Sequence, residues 1–270
     1  MRTLALATVS GAALLATGVL TPAGQGGSAL RPGAPTPVRT ARPSPVHLAP
    51  ATYARPVSDD DPAGAPPGPA PAAAREGTVT AAELLTRVSS CERISNGAYR
   101  TDEGASASVP VCGTEGAVFW KADMDIDCDG RVTTACNADT DPWFQGDTAF
   151  HTSDDRPLNA AELPYVVVPS RSSLWDFSGS GIKGGGVVAV VYADKVEYAV
   201  VGDTGPAGII GEASYATAKA LGIDPDPKTG GAGSGVTYIL FKDSVVSPIE
   251  SHGAAVTAGE GLAREFLSGG

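Results

Sequence analysis

The sequence predicts a mainly β domain, a barrel or sandwich with a few peripheral helices packed outside it. Three observations carry this. Apolar runs of strand length recur between Gly- and Pro-containing turns. With 34 glycines and 6% aromatic residues, a helical bundle or long coiled coil is disfavoured. The prolines divide sharply, 13 from Pro22 to Pro71 and 9 after Gly77, which leaves residues 77–270 to fold, a length suited to one domain.

In chain order, residues 1–23 read as a secretory signal peptide. Arg2 supplies the positive start, Leu4 to Leu20 the apolar run, and Thr21-Pro22-Ala23 a small-residue cleavage point. The rival reading is an uncleaved anchor, but the run is at the short limit for spanning. Residues 24–76 form an extended Pro/Ala/Gly-rich spacer. The mature product is expected to be extracellular, monomeric and free of the membrane.

Thr80-Ala81-Ala82-Glu83 is a capping box that opens a short helix with Leu84, Leu85 and Val88 on its apolar face. Gly116 to Trp120 and Tyr165 to Val168 read as strands, the second ended by Pro169. Val187 to Tyr192 and Val196 to Val201 form a hairpin around a three-residue turn, Ala193-Asp194-Lys195. A loop from Gly202 to Ile210 leads into a helix from Gly211 to Leu221, closed by Gly222. Val236 to Phe241 is a further strand and Ala258 to Phe266 a last short helix.

Export gives the cysteines their meaning. Cys91, Cys112, Cys128 and Cys136 are an even number in an oxidising compartment, so two disulfides are expected. Three connectivities are open, and the short-loop one pairs Cys91 with Cys112 and Cys128 with Cys136. A zinc site is not expected, because CxxC spacing is absent and the histidines are only His47, His151 and His252. Gly179-Ser180-Gly181-Ile182-Lys183-Gly184 matches GxGxxG, but a strand follows it where a dinucleotide site needs a helix. No cofactor is expected. No GxSxG marks a serine nucleophile.

Two acidic segments stand out. Asp123-Met124-Asp125-Ile126-Asp127-Cys128-Asp129-Gly130 places four carboxylates on one face if it is a strand, and four like charges there call for a cation among them. The cation is either a substrate ammonium or Ca²⁺; the solvated acidic turn is the bland alternative. Asp125, Asp127, Asp129 and Gly130 match the first half of an EF-hand loop, but Cys136 occupies the place of its twelfth-position Glu. In the second segment, Asp203 ends an apolar strand and Glu212 follows nine residues on, across a Gly/Pro excursion that lets both face one cleft. Glycosidic hydrolysis needs such a pair, one acid for the leaving oxygen and one base for water. The competing reading has Asp203 bonding loop amides and Glu212 stabilising a helix N-terminus.

Taken together, Phe119 to Gly130, Tyr165-Val166-Val167-Val168-Pro169 and the Gly202-Asp203-Thr204 to Gly211-Glu212-Ala213-Ser214 segment resemble the chitosanases of glycoside hydrolase family 75. The likeness runs from about Cys112 to Leu267 in the family's block order. It implies a β-barrel of double-psi type and an inverting endo-hydrolase of chitosan. It also implies Glu212 as proton donor and Asp203 as base.

From Gly77 onward the chain carries 26 Asp+Glu against 13 Lys+Arg, a net of −13. Such a field repels nucleic acid and anionic lipid and attracts a cationic polymer. Asp123, Asp125 and Asp127 are the expected amine contacts. The alternative of another class is a non-enzymatic, calcium-stabilised extracellular or cell-wall binding module, which has no need of two convergent carboxylates.

Overall fold

The computed structural model describes residues 76–269. The expected leader, His47 and all of the expected spacer except Glu76 lie outside the described residues. In chain order the elements are α1 (Ala81–Arg87), β1 (Glu92–Arg93), β2 (Cys112–Thr114), β3 (Ala117–Asp127), β4 (Tyr165–Pro169), β5 (Val187–Tyr192), β6 (Lys195–Gly205), β7 (Glu212–Ser214), α2 (Tyr215–Leu221), β8 (Ala232–Phe241) and α3 (His252–Ser268). The domain is mainly β, as its punctuated apolar runs predict. Strands pair in the order β3-β7-β4-β6-β5-β8, and β8 returns to β3, so six strands close into a barrel. Closure removes the free edges that an open sheet presents. β2 lies beside the first residues of β3, in line with β7 at the other end.

Alternation along the strands sorts the core into two layers. Val118 and Trp120 of β3, Val166 of β4, Val188 of β5, Val201 of β6 and Leu240 of β8 fill the lumen. Trp120 stacks on Tyr238 there, with ring centroids 5.4 Å apart. The alternate residues, among them Phe119, Tyr165, Tyr198 and Ile239, face outward and are covered by Leu84 of α1 and Ala255, Ala263 and Phe266 of α3. Gly259 allows α3 its close approach to β6, since a methyl group there would sit 2.3 Å from the Tyr198 ring.

The Thr80 capping box forms as expected, with both reciprocal bonds present. The hairpin turn is shorter than expected. Tyr192 pairs with Lys195, which leaves a two-residue turn in which Ala193 takes a φ of 54°. Both disulfides follow the short-loop pairing, Cys91–Cys112 and Cys128–Cys136. The first ties the segment after α1 to β2, and the second ties the end of β3 to the loop beyond it.

A further expectation is corrected: Glu212 does not begin a helix. It opens the short strand β7, and the helix starts three residues later with Ser214 as its N-cap. The reason is local. Ser214 Oγ accepts the Thr217 amide and also the Tyr165 amide of β4, so the capping side chain anchors the neighbouring strand as well. The two residues before it are thereby drawn into the sheet, with Ala213 in the lumen.

Candidate active site

Strand register builds the site. Asp125 of β3 pairs with Glu212 of β7, Glu212 pairs with Val167 of β4, and Val167 pairs with Asp203 of β6. One row therefore crosses four adjacent strands, with a carboxylate at three of its four positions. Strict alternation gives Asp203 the same orientation as Val201, which points into the lumen. A bulge prevents this. Between Val166 and Val167 the partner on β6 jumps from Val201 to Asp203, so Gly202 is the extra residue and Asp203 turns outward beside Val167. Only glycine fits at 202, because a methyl group there would lie 2.6 Å from Tyr165 Cβ and 2.9 Å from Leu158 Cδ1.

Asp203 and Glu212 share a cleft of about 610 Å³ with Asp125, Asp127, Asp129, Asp141 and Asp226. Among the described residues, Lys228 is the one cationic side chain on its wall. Its Nζ donates to the Asp139 carbonyl at 2.6 Å. Trp143, 83% exposed, stands at the rim and presents an aromatic face at the mouth of the cleft. Sequence reasoning found Asp125, Asp127, Asp203 and Glu212 but missed Trp143, Asp141, Gln145, Asp226 and Lys228. Those five come from two loops whose approach no local pattern encodes; the Asp-Pro steps at 141 and 225–227 mark turns and nothing more. The third expected amine contact, Asp123, is 5% exposed and does not line the cleft. Its Oδ1 lies beneath Gly211, near Asp102 and Asp125.

The carboxylates differ in what holds them. Asp203 Oδ1 accepts the amides of Ala149 at 2.8 Å and Thr204 at 2.6 Å, which favours its charged form. Burial raises its pKa, and these amides oppose the rise. The reading of Asp203 as a residue that bonds loop amides thus holds together with its place in the cleft. Glu212 has no such donors acting on it. Burial first, then Asp125, Asp129 and Asp203, push it up to about 8. Asp127 is also raised, by burial and then by Glu212, although its Oδ1 accepts the Asp129 amide at 2.6 Å. Asp129 rises to about 6, chiefly through burial, against the amide bond that it receives from Gln145. Oxygens of Asp127, Asp129 and Asp203 approach within 4.8 Å of one another. Cys136, at the EF-hand's twelfth position, is bonded to Cys128 and contributes no ligand.

A pair of outward-facing carboxyls, one pushed upward by burial and neighbouring aspartates and the other held by two amides, stands where the family match also falls. The model of the fungal chitosanases of glycosyl hydrolase group 75 matches residues 124–266. The chain belongs to this family. It is similar to endo-chitosanase B of Aspergillus oryzae, with 32% identity over 165 residues, 54% of this chain and 69% of that one. It is also similar to endo-chitosanase C of the same organism, 33% identical over 50% of this chain and 34% of the relative. An endo-chitosanase of Aspergillus fumigatus is 32% identical over 47% and 59% of the two chains. The matched family segment contains every residue of the row and both carboxylate-bearing loops of the cleft.

Proposed function

We propose that this chain is a secreted endo-chitosanase that hydrolyses β-1,4 linkages between glucosamine residues with inversion, Glu212 acting as proton donor and Asp203 as base. The observation that carries this is the polarised pair, Glu212 held protonated up to about pH 8 and Asp203 held by two amides. A purely binding module has no use for that difference. Glu212 protonates the leaving oxygen, while Asp203 removes a proton from a water attacking the opposite face of the sugar. The row supports a single displacement. Two interstrand steps of about 4.8 Å separate β7 from β6, room enough for that water between the carboxyls.

The surrounding aspartates supply the substrate preference. Chitosan carries ammonium groups, and Asp125, Asp127, Asp141 and Asp226 line the path on which they would lie. Reducing-end release from chitosan, chitin and carboxymethylcellulose, assayed side by side, tests the reading. Chitosan should be the preferred substrate, and Asp203→Asn and Glu212→Gln should each lose several orders of magnitude in turnover while keeping the wild-type fold. Near-normal activity in Glu212→Gln would remove it from the acid role. Proton NMR of the first product should show the α-anomer; a β-anomer appearing first would make Asp203 a nucleophile.

A further inference from the structure

A buried cluster on the far part of β6 plays no part in this chemistry. Glu197 is 4% exposed, yet its Oε1 makes no hydrogen bond among the described residues. That oxygen faces His252, the first residue of α3, whose Nε2 lies 3.6 Å away. The same Nε2 is 2.7 Å from Oε1 of Glu76. The second oxygen of Glu76 accepts the Tyr198 amide at 3.0 Å, which fixes the carboxylate in place. Of the other charges near Tyr198, Glu260 and Arg264 pair with each other at 2.7 Å. The cluster is left with two carboxylates and one imidazole. Burial, and then the Glu76 carboxyl, push Glu197 up to about 9.

We propose that Glu76, Glu197 and His252 bind a divalent transition-metal ion, zinc by preference. One ligand atom from each already lies within 4.8 Å of the others. Bonds of about 2.0 to 2.2 Å place tetrahedral donors roughly 3.4 Å apart. The His252–Glu197 distance of 3.6 Å is close to that, and the His252–Glu76 contact has to open from 2.7 Å as the ion displaces the shared proton. One nitrogen and two carboxylate oxygens suit zinc, whereas Ca²⁺ gathers six to eight oxygens. No motif reveals this site, because 176 positions separate Glu76 from His252. Its role is structural. The ion joins the point where the chain enters the domain to β6 and α3, and Glu197 is six residues, about 20 Å, along the strand from Asp203.

The test is calorimetric titration of the chelator-treated full chain with Zn²⁺. One site per chain is expected, with Tm rising on saturation. His252→Ala and Glu197→Gln should each weaken binding at least tenfold, while Asp203→Asn, which alters the cleft's carboxylate cluster, should leave it unchanged. Zinc X-ray absorption on the wild-type chain gives an answer even if a variant fails to fold, since it should show one imidazole nitrogen among oxygens. No stoichiometric binding, all-oxygen coordination, or affinity unaltered in His252→Ala would overturn the proposal.

Discussion

A carboxylic acid that keeps its proton to about pH 8 must be flanked by groups that penalise its charge, and Glu212 has both kinds, buried surroundings and four neighbouring aspartates. This fixes the sign of two pH effects. In the proposed reaction Glu212 acts protonated and Asp203 ionised, so kcat/KM should fall as pH rises through about 8 and the acidic limb should belong to Asp203. For stability, a folded pKa raised from 4.5 means that the group's contribution is fully present below about pH 4.5 and is lost as pH climbs towards 8. Glu212→Gln has no proton to lose. Its Tm should draw ahead of wild type over that interval by about 2 to 4 °C for each kcal/mol regained. Thermal melts at a series of pH values measure the gap, and a gap that does not change with pH would show that Glu212 is not held neutral.

At the scale of elements, the bulge in β6 is the feature on which the site turns. Adding a methyl group at Gly202 drives it into Tyr165 and Leu158, so Gly202→Ala should cost about 1 to 3 kcal/mol and lower turnover as Asp203 is displaced. Unfolding in denaturant and initial rates on chitosan measure the two effects. The disulfides fasten β2 to the segment after α1 and the end of β3 to the loop beyond it. Chain-entropy arithmetic gives about 2.5 kcal/mol for the loop of separation 8 and about 3.3 for that of separation 21. Reduction should therefore lower the melting temperature markedly, with no thiol titratable beforehand. The bulge also explains what was legible. Apolar runs located β4, β5, β6 and β8, and the cysteine count gave two disulfides whose pairing, open among three, follows the short-loop choice. Strand β3 ran further than expected because alternating aspartates such as Asp125 continue it, and α3 began earlier because Ser251 caps a first turn that opens with His252. A bulge leaves no periodic trace, so spacing alone brought Asp203 and Glu212 near one cleft without showing that both face outward. Trp143 and Asp226 were invisible for a simpler reason: loops are positioned by the body they rest on.

For the whole molecule, the relevant quantity is the net charge of −13 from Gly77 onward, concentrated at the cleft in seven carboxylates. Attraction of a polycation over such distances is screened once the Debye length shrinks from about 10 Å at 0.1 M salt to about 3 Å at 1 M. The KM for chitosan should accordingly rise several-fold across that range, with kcat little changed; a KM indifferent to salt would place recognition in short contacts alone. The row across the barrel has one more implication, and it concerns folding. Asp125, Glu212 and Asp203 reach one another only through ladders joining segments distant in sequence, parallel between β3 and β7 and between β4 and β6, and antiparallel between β4 and β7. Such pairings are slow to form because long loops must close before any contact rewards them. A half-finished barrel with only β3 and β7 paired sets Asp125 beside Glu212 but leaves Asp203 out of the row, so the proposed acid and base meet only once β4 lies between β7 and β6, and the first bond the chain cuts would announce that this wall is complete.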